Sequence, residues 1–173
     1  GLRVSADIAG LAAETDILVL SLPDAAAVEA VVQGPGGIIA TGRRGSLVID
    51  TTTSEPSVTR RLGASLRQAG MALIDAPVSG GPKGAHAGTM TMVMGGEEAD
   101  IARAEPILAA MTGKRIHVGP VGAGHTVKLV NNLLCAAHLL TAGEAVRILA
   151  AAGLDVPRAL AGINAGSGRS AVS

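Results

Sequence analysis

Short apolar runs of strand length recur between stretches of helical pattern, and this alternation constrains the fold more than any other feature of the chain. Asp16 to Leu22 (DILVLSL), Leu47 to Asp50 (LVID), Met71 to Ile74 (MALI) and Met90 to Met94 (MTMVM) each have the length and flanks of a buried strand. Between them lie helix patterns with start and stop signals. Ser5 is placed to cap a helix over Ala6 to Ala13, and Asp24 one that stops at Gly34. A third opens near Thr53 or Ser54 and closes at Gly70, and Glu97 to Met111 has acids in its first turn and Gly113 as its stop. Arg115 to Val118 reads as a last short strand, and everything beyond Gly124 reads helical. Residues 34–45 and 75–89 are rich in glycine and read as loops.

Strands alternating with helices predict an α/β layered domain with a largely parallel sheet, whose ligands bind outside the carboxyl ends of the strands. The loops at those ends are Leu22 and Pro23, Thr51 to Thr53, Ser79 to Gly81, and the turn at 119–124. The shift to continuous helix places a domain boundary there, with residues 1–121 as a partial α/β domain and 122–173 as the start of a helical one. Gly1 is not methionine and both ends fall inside apparent structure, so the sequence reads as an excerpt of a longer protein.

Composition narrows the function classes. With a formal net charge of +0 and a pI of about 7.1, the 173 residues give no footprint for nucleic acid or an acidic membrane surface. The paired arginines 43/44 and 60/61 read as solvated faces. The lone cysteine, Cys135, cannot form an internal disulfide, which suits a cytoplasmic location. No basic-then-apolar leader opens the chain, and apolar stretches such as Leu133 to Leu140, broken by His138, fall short of the roughly 20 residues a membrane span needs. Phe, Trp and Tyr are absent, so the core must be built from Ala, Val, Leu, Ile and Met. His86, His117, His125 and His138 lack ligand spacing and read mostly as surface or loop residues, with no metal site expected.

Chemistry concentrates in Gly119 to Asn132 (GPVGAGHTVKLVNN), a glycine-rich turn opening a long apolar helix. Free N–H groups at a helix start favour a negative group there. A P-loop would need lysine where His125 stands, and a Rossmann fingerprint would need glycine where Val127 stands. Lys128, Asn131, Asn132 and Cys135 recur at helical spacing and share one face. Lysine at such a position is either a solvated residue of the polar face or a charge carried to a site, and two successive asparagines cost helix stability unless they find partners.

These stretches together resemble the β-hydroxyacid dehydrogenases, relatives of 6-phosphogluconate dehydrogenase. The likeness rests on LPD at 22–24, IDTTTSEP at 49–56, DAPVSGG at 75–81, GAGHTVKLVNN at 122–132 and INAGSGRS at 163–170, in order along essentially the whole chain. It implies a partial Rossmann-type dinucleotide-binding domain, a long interdomain helix and the beginning of an all-α domain. It further implies an NAD- or NADP-dependent oxidoreductase acting on a small 3-hydroxy acid, homo-oligomeric as an intact protein. Lys128 would be the general acid/base, Ser79, Gly80, Gly81 and Asn132 would hold the substrate, and Leu22, Pro23 and Thr53 would line the cofactor.

Carbonyl reduction builds negative charge on oxygen, which a positioned ammonium stabilises while supplying the proton. A free lysine titrates near about 10.4 and is a ready donor at neutral pH. The family's glycine fingerprint does not occur in the sequence, so the isolated chain is expected to turn over little or nothing. The rival reading is a non-catalytic fragment or interaction module that keeps the fold. Reductive amination on the same scaffold, where relatives replace the lysine, is disfavoured by Lys128.

Overall fold

The computed structural model describes residues 3–170 and 172. Six strands and eight helices follow one another as α1 (Ile8–Glu14), β1 (Ile17–Leu20), α2 (Ala25–Gln33), α3 (Ile38–Thr41), β2 (Leu47–Asp50), α4 (Pro56–Gln68), β3 (Ala72–Asp75), β4 (Val78–Ser79), α5 (Gly81–Ala87), β5 (Thr91–Gly95), α6 (Glu98–Met111), β6 (Lys114–Gly119), α7 (Ala123–Ala151) and α8 (Val156–Ala165) among the described residues. The chain divides into two compact units between Lys128 and Leu129, so the opening turn of α7 belongs to the α/β unit.

In that unit β1, β2 and β3 run parallel, in the register Leu20↔Asp50 and Asp50↔Asp75 at their carboxyl ends. Their side chains alternate between two cores, as a sheet covered on both faces requires. Leu18, Leu20, Val48 and Leu73 pack with Val28, Val32, Leu62 and Leu66 of α2 and α4. Leu47, Ile49 and Ile74 pack on the other face with Met92, Ala104 and Leu108. Branched aliphatics and methionine fill the space that aromatics usually occupy.

The sheet is not uniformly parallel. Asp75↔Gly95, Val78↔Met92 and Ser79↔Thr91 keep one antiparallel register, and Val93 N–H donates to the Pro77 carbonyl between them at 3.2 Å. Strands β3 and β4 are thus one run that pairs first with β2 and then with β5, while β6 lies parallel to β5. Two segments expected as loop carry structure. α3 forms inside 34–45, between Gly37 and Gly42, too short to show a helical period. β4 and α5 form inside 75–89, α5 having proline in its first turn and Gly88 as a left-handed cap at φ 66°.

Asp24 caps α2 by accepting from Ala27 N–H at 2.8 Å, as its position predicts. Arg43 and Arg61 pair with Asp16 and Glu29 on exposed surface.

The second unit comprises the rest of α7, and α8, whose first turn is capped by Asp155 accepting from Arg158 N–H. Here one expectation is corrected. The 29-residue α7 reaches a mean hydropathy of 1.5 over an 18-residue window, so by length and composition alone it is long enough and apolar enough to cross a membrane. Alanine and glycine interleave with its leucines and valines, which a search for unbroken apolar runs overlooks.

Candidate active site

The site is organised around Asp75, the last residue of β3 and fully buried. Its two carboxylate oxygens receive the start of α7: Gly122 N–H donates to Oδ1 at 2.7 Å and His125 N–H to Oδ2 at 2.8 Å. Helix starts leave such N–H groups without intrahelical partners, and a carboxylate satisfies two at once while matching the positive end of the dipole. The negative group that the glycine-rich turn favours is therefore the protein's own side chain.

That approach needs glycine on both sides. A Cβ on Gly95 would stand 2.5 Å from Asp75 Oδ1, and one on Gly124 would stand 2.6 Å from the Asp75 carbonyl and 2.9 Å from that of Val93. Gly122 turns the chain at φ 92°. Gly124 thus serves close packing of backbone on backbone, and Gly122 the bend of the chain.

The surface reading given to most of the histidines holds for the exposed His86, His117 and His138, and His125 is the exception, fully buried. Its Nε2 lies 2.7 Å from the Thr52 carbonyl, which can only accept, so Nε2 carries the proton; Nδ1 meets the Thr59 hydroxyl at 2.7 Å. Thr52 then links onward, its hydroxyl accepting from Leu22 N–H at 3.1 Å and its own N–H donating to Asp50 Oδ1 at 3.0 Å. One network thus joins the loops after β1, β2 and β3 to the start of α7. Burial pushes the Asp50 and Asp75 carboxyls above the ordinary carboxylate range, against the opposing pull of hydrogen bonds from Thr52 to Asp50 and from Gly122 and His125 to Asp75.

One turn beyond His125, Lys128 extends to the substrate loop anticipated from the sequence, where its Nζ donates to Ser79 Oγ at 2.9 Å. Both side chains are partly buried. Gly80 and Gly81 follow at φ 131° and 59°, in the region that favours glycine, and turn the chain into α5. Leu22 is half-buried, with Pro23 and Thr53 exposed beside it at the ends of β1 and β2. Asn132 lies on α7 in the second unit and is exposed. The Ser54 hydroxyl is buried with no hydrogen-bond partner among the described residues.

Residues 1–119 match the family described as the NAD binding domain of 6-phosphogluconate dehydrogenase, and residues 122–173 the family described as NAD-binding of NADP-dependent 3-hydroxyisobutyrate dehydrogenase. The chain belongs to the β-hydroxyacid dehydrogenase family. Among family members, it is 39% identical over 160 residues to 2-(hydroxymethyl)glutarate dehydrogenase of Eubacterium barkeri, covering 92% of this chain and 53% of that protein. With mitochondrial 3-hydroxyisobutyrate dehydrogenase of Mus musculus it shares 36% identity over 170 residues, covering 98% and 50%. It superposes on Mycobacterium tuberculosis 3-hydroxyisobutyrate dehydrogenase, solved with L-serine, at a TM-score of 0.92 and 33% identity, covering 98% of this chain and 57% of that one. The chain spans about half the length of the curated relatives it matches.

Within this family member, the sequence pattern pointed to Lys128 and Ser79 but missed Asp75 and His125. Asp75 looked like the first residue of a loop. A signal was present in the repeated ending of two strands, LVID and LID, each placing an aspartate at a carboxyl end.

Proposed function

We propose that the protein of which this sequence forms part is an NAD(P)-dependent oxidoreductase interconverting a small 3-hydroxy acid and its semialdehyde, with Lys128 as general acid/base. The observation that carries this reading is the 2.9 Å contact between Lys128 Nζ and Ser79 Oγ, which puts a cation beside the turn at Ser79, Gly80 and Gly81. The named relatives act on 3-hydroxyisobutyrate or 2-(hydroxymethyl)glutarate, and one was solved with L-serine. All three molecules carry a hydroxymethyl group on the carbon that bears a carboxylate. That shared core supports the proposed substrate class.

In this reading the carboxylate is held at Ser79 to Gly81, and Asn132 contacts the substrate. The Lys128 ammonium faces the reacting oxygen, stabilises the charge that develops on it and hands over a proton in reduction. Oxidation reverses the transfer, and lysine accepts the proton. The dinucleotide supplies or takes up the hydride when bound.

Residues at the ends of β1 and β2 would line that cofactor. Leu22 and Pro23 offer apolar surface and Thr53 a hydroxyl, while the nearby Asp50 carboxylate is buried and bonded to Thr52. The buried Ser54 hydroxyl is a further polar group in that loop. A homo-oligomer in the cytoplasm belongs to the same proposal; exposed Leu133, Leu139 and Leu140 on α7 are apolar surface that an assembly would bury.

The test is a spectrophotometric assay of the full-length protein with NAD and NADP against a panel of 2-substituted 3-hydroxy acids. Dinucleotide reduction with at least one of them is expected. Specific binding of another protein, with no dinucleotide affinity or turnover, would favour a non-catalytic module instead.

A further inference from the structure

The strand that carries Ser79 also carries Asp75, and the helix that carries Lys128 is held at its start by Asp75. We infer that Asp75 is a positioning residue for the acid/base lysine: its carboxylate is the common origin from which strand and helix are measured so that Lys128 arrives at Ser79. This rests on the reading of Lys128 given above.

The two paths have comparable lengths. From Asp75 to Ser79 the chain is extended in a single antiparallel register with β5, about 13 Å at roughly 3.3 Å per residue. From Gly122 to Lys128 the helix rises about 9 Å at roughly 1.5 Å per residue, and the lysine side chain spans the remainder. Neither path has slack. The strand is pinned to β5 on both sides of Pro77, and α7 is pinned at Gly122 and His125 by two bonds to one carboxylate.

Aspartate is specifically suited to that junction. Both N–H groups need acceptors, and only an ionised carboxylate offers one on each branch at this length. An asparagine amide would accept one bond and aim its NH₂ at the other donor. A glutamate would displace the helix by a methylene in a place where Gly95 and Gly124 already leave no room for a Cβ. His125 completes the joint by fixing its ring between Thr52 and Thr59, so the first turn cannot rotate about Asp75.

The experiment follows the Lys128 side-chain ¹⁵N resonance and backbone amide exchange by NMR in the full chain, with kinetics of the holoenzyme. In the unsubstituted protein, couplings across the hydrogen bonds from Asp75 Cγ to the amide nitrogens of Gly122 and His125 are expected; their absence overturns the inference without any variant. In Asp75→Asn, or Asp75→Ser if the former does not fold, His125 amide exchange should accelerate at least about tenfold and the Lys128 signal should move to that of a solvated lysine. A displacement of about 1 Å at the reacting group lowers kcat about 10²-fold, with the KM for hydroxy acid changed far less. A folded Asp75 variant with an unmoved Lys128 signal and unchanged kcat would overturn the positioning role. If Lys128→Ala itself retained full turnover, the acid/base reading would fail instead, whatever the Asp75 variants did.

Discussion

Asp50 and Asp75 stand side by side in register where β2 and β3 end, both carboxylates removed from solvent. Asp75 spends both oxygens on α7, while Asp50 is held by Thr52 in its own loop. Burial makes the charged form of each costly, which is why both titrate above the ordinary carboxylate range.

The sign of the resulting pH dependence is fixed. A carboxyl whose folded-state pKa exceeds its unfolded value, near about 3.9, binds its proton more tightly in the folded protein. Its contribution is fully present below the unfolded value and is lost as pH rises through the folded one. Asp50→Asn removes that loss, so its stability relative to the native chain should increase from about pH 4 upward and be flat at more acid pH. Denaturant unfolding of both proteins at a series of pH values checks this, and a difference that grew toward acid pH would contradict it.

Gly124→Ala should destabilise the α/β unit. The new methyl would lie 2.6 Å and 2.9 Å from two backbone carbonyl oxygens that belong to sheet strands and cannot swing aside. Overpacking of this kind costs about 1–3 kcal/mol, and displacement of α7 from Asp75 adds to it. The measurement is the shift in urea midpoint, with Gly143→Ala, where a Cβ meets nothing within 4 Å, as the matched control on the same helix.

His125→Leu fills similar volume but leaves the Thr52 carbonyl without a donor and the Thr59 hydroxyl without its ring partner. Leaving the buried Thr52 carbonyl unmatched costs about 1–3 kcal/mol, while the Thr59 hydroxyl keeps the Glu55 carbonyl at 3.1 Å as an acceptor. The loss should be recovered in part by pairing His125→Leu with Thr59→Val, since removing both partners of a buried bond is milder than removing one. Thermal unfolding of the single and double variants measures it, and strictly additive losses would speak against the bond.

Most of the fold was legible because β2 and β3 are covered on both faces and so read as unbroken apolar runs, and because Asp24 and Gly113 sit where helix signals belong. What was not legible depends on partners distant in sequence. Nothing local tells Met90 to Met94 to pair antiparallel with Val78 and Ser79, and Gly80 to Gly88 disguises a seven-residue helix as a loop. At the site, the glycine turn announced that a negative group belongs at the start of α7, and Lys128 and Ser79 were both singled out and stand together. Which carboxylate answers the turn could not be read locally, because Asp50 and Asp75 end their strands in the same way and only the three-dimensional crossing selects one. His125 was noticed for the lysine it is not, whereas it is a fully buried imidazole held between the Thr52 carbonyl and the Thr59 hydroxyl.

The central claim is that Lys128, held beside Ser79, moves the proton. It is tested most directly by steady-state reduction of a semialdehyde acid by the full-length protein carrying Lys128→Met, alongside dinucleotide binding by fluorescence. A fall in kcat of about 10²–10⁴-fold with dinucleotide affinity retained is expected. Turnover within about twofold of the native protein would contradict it.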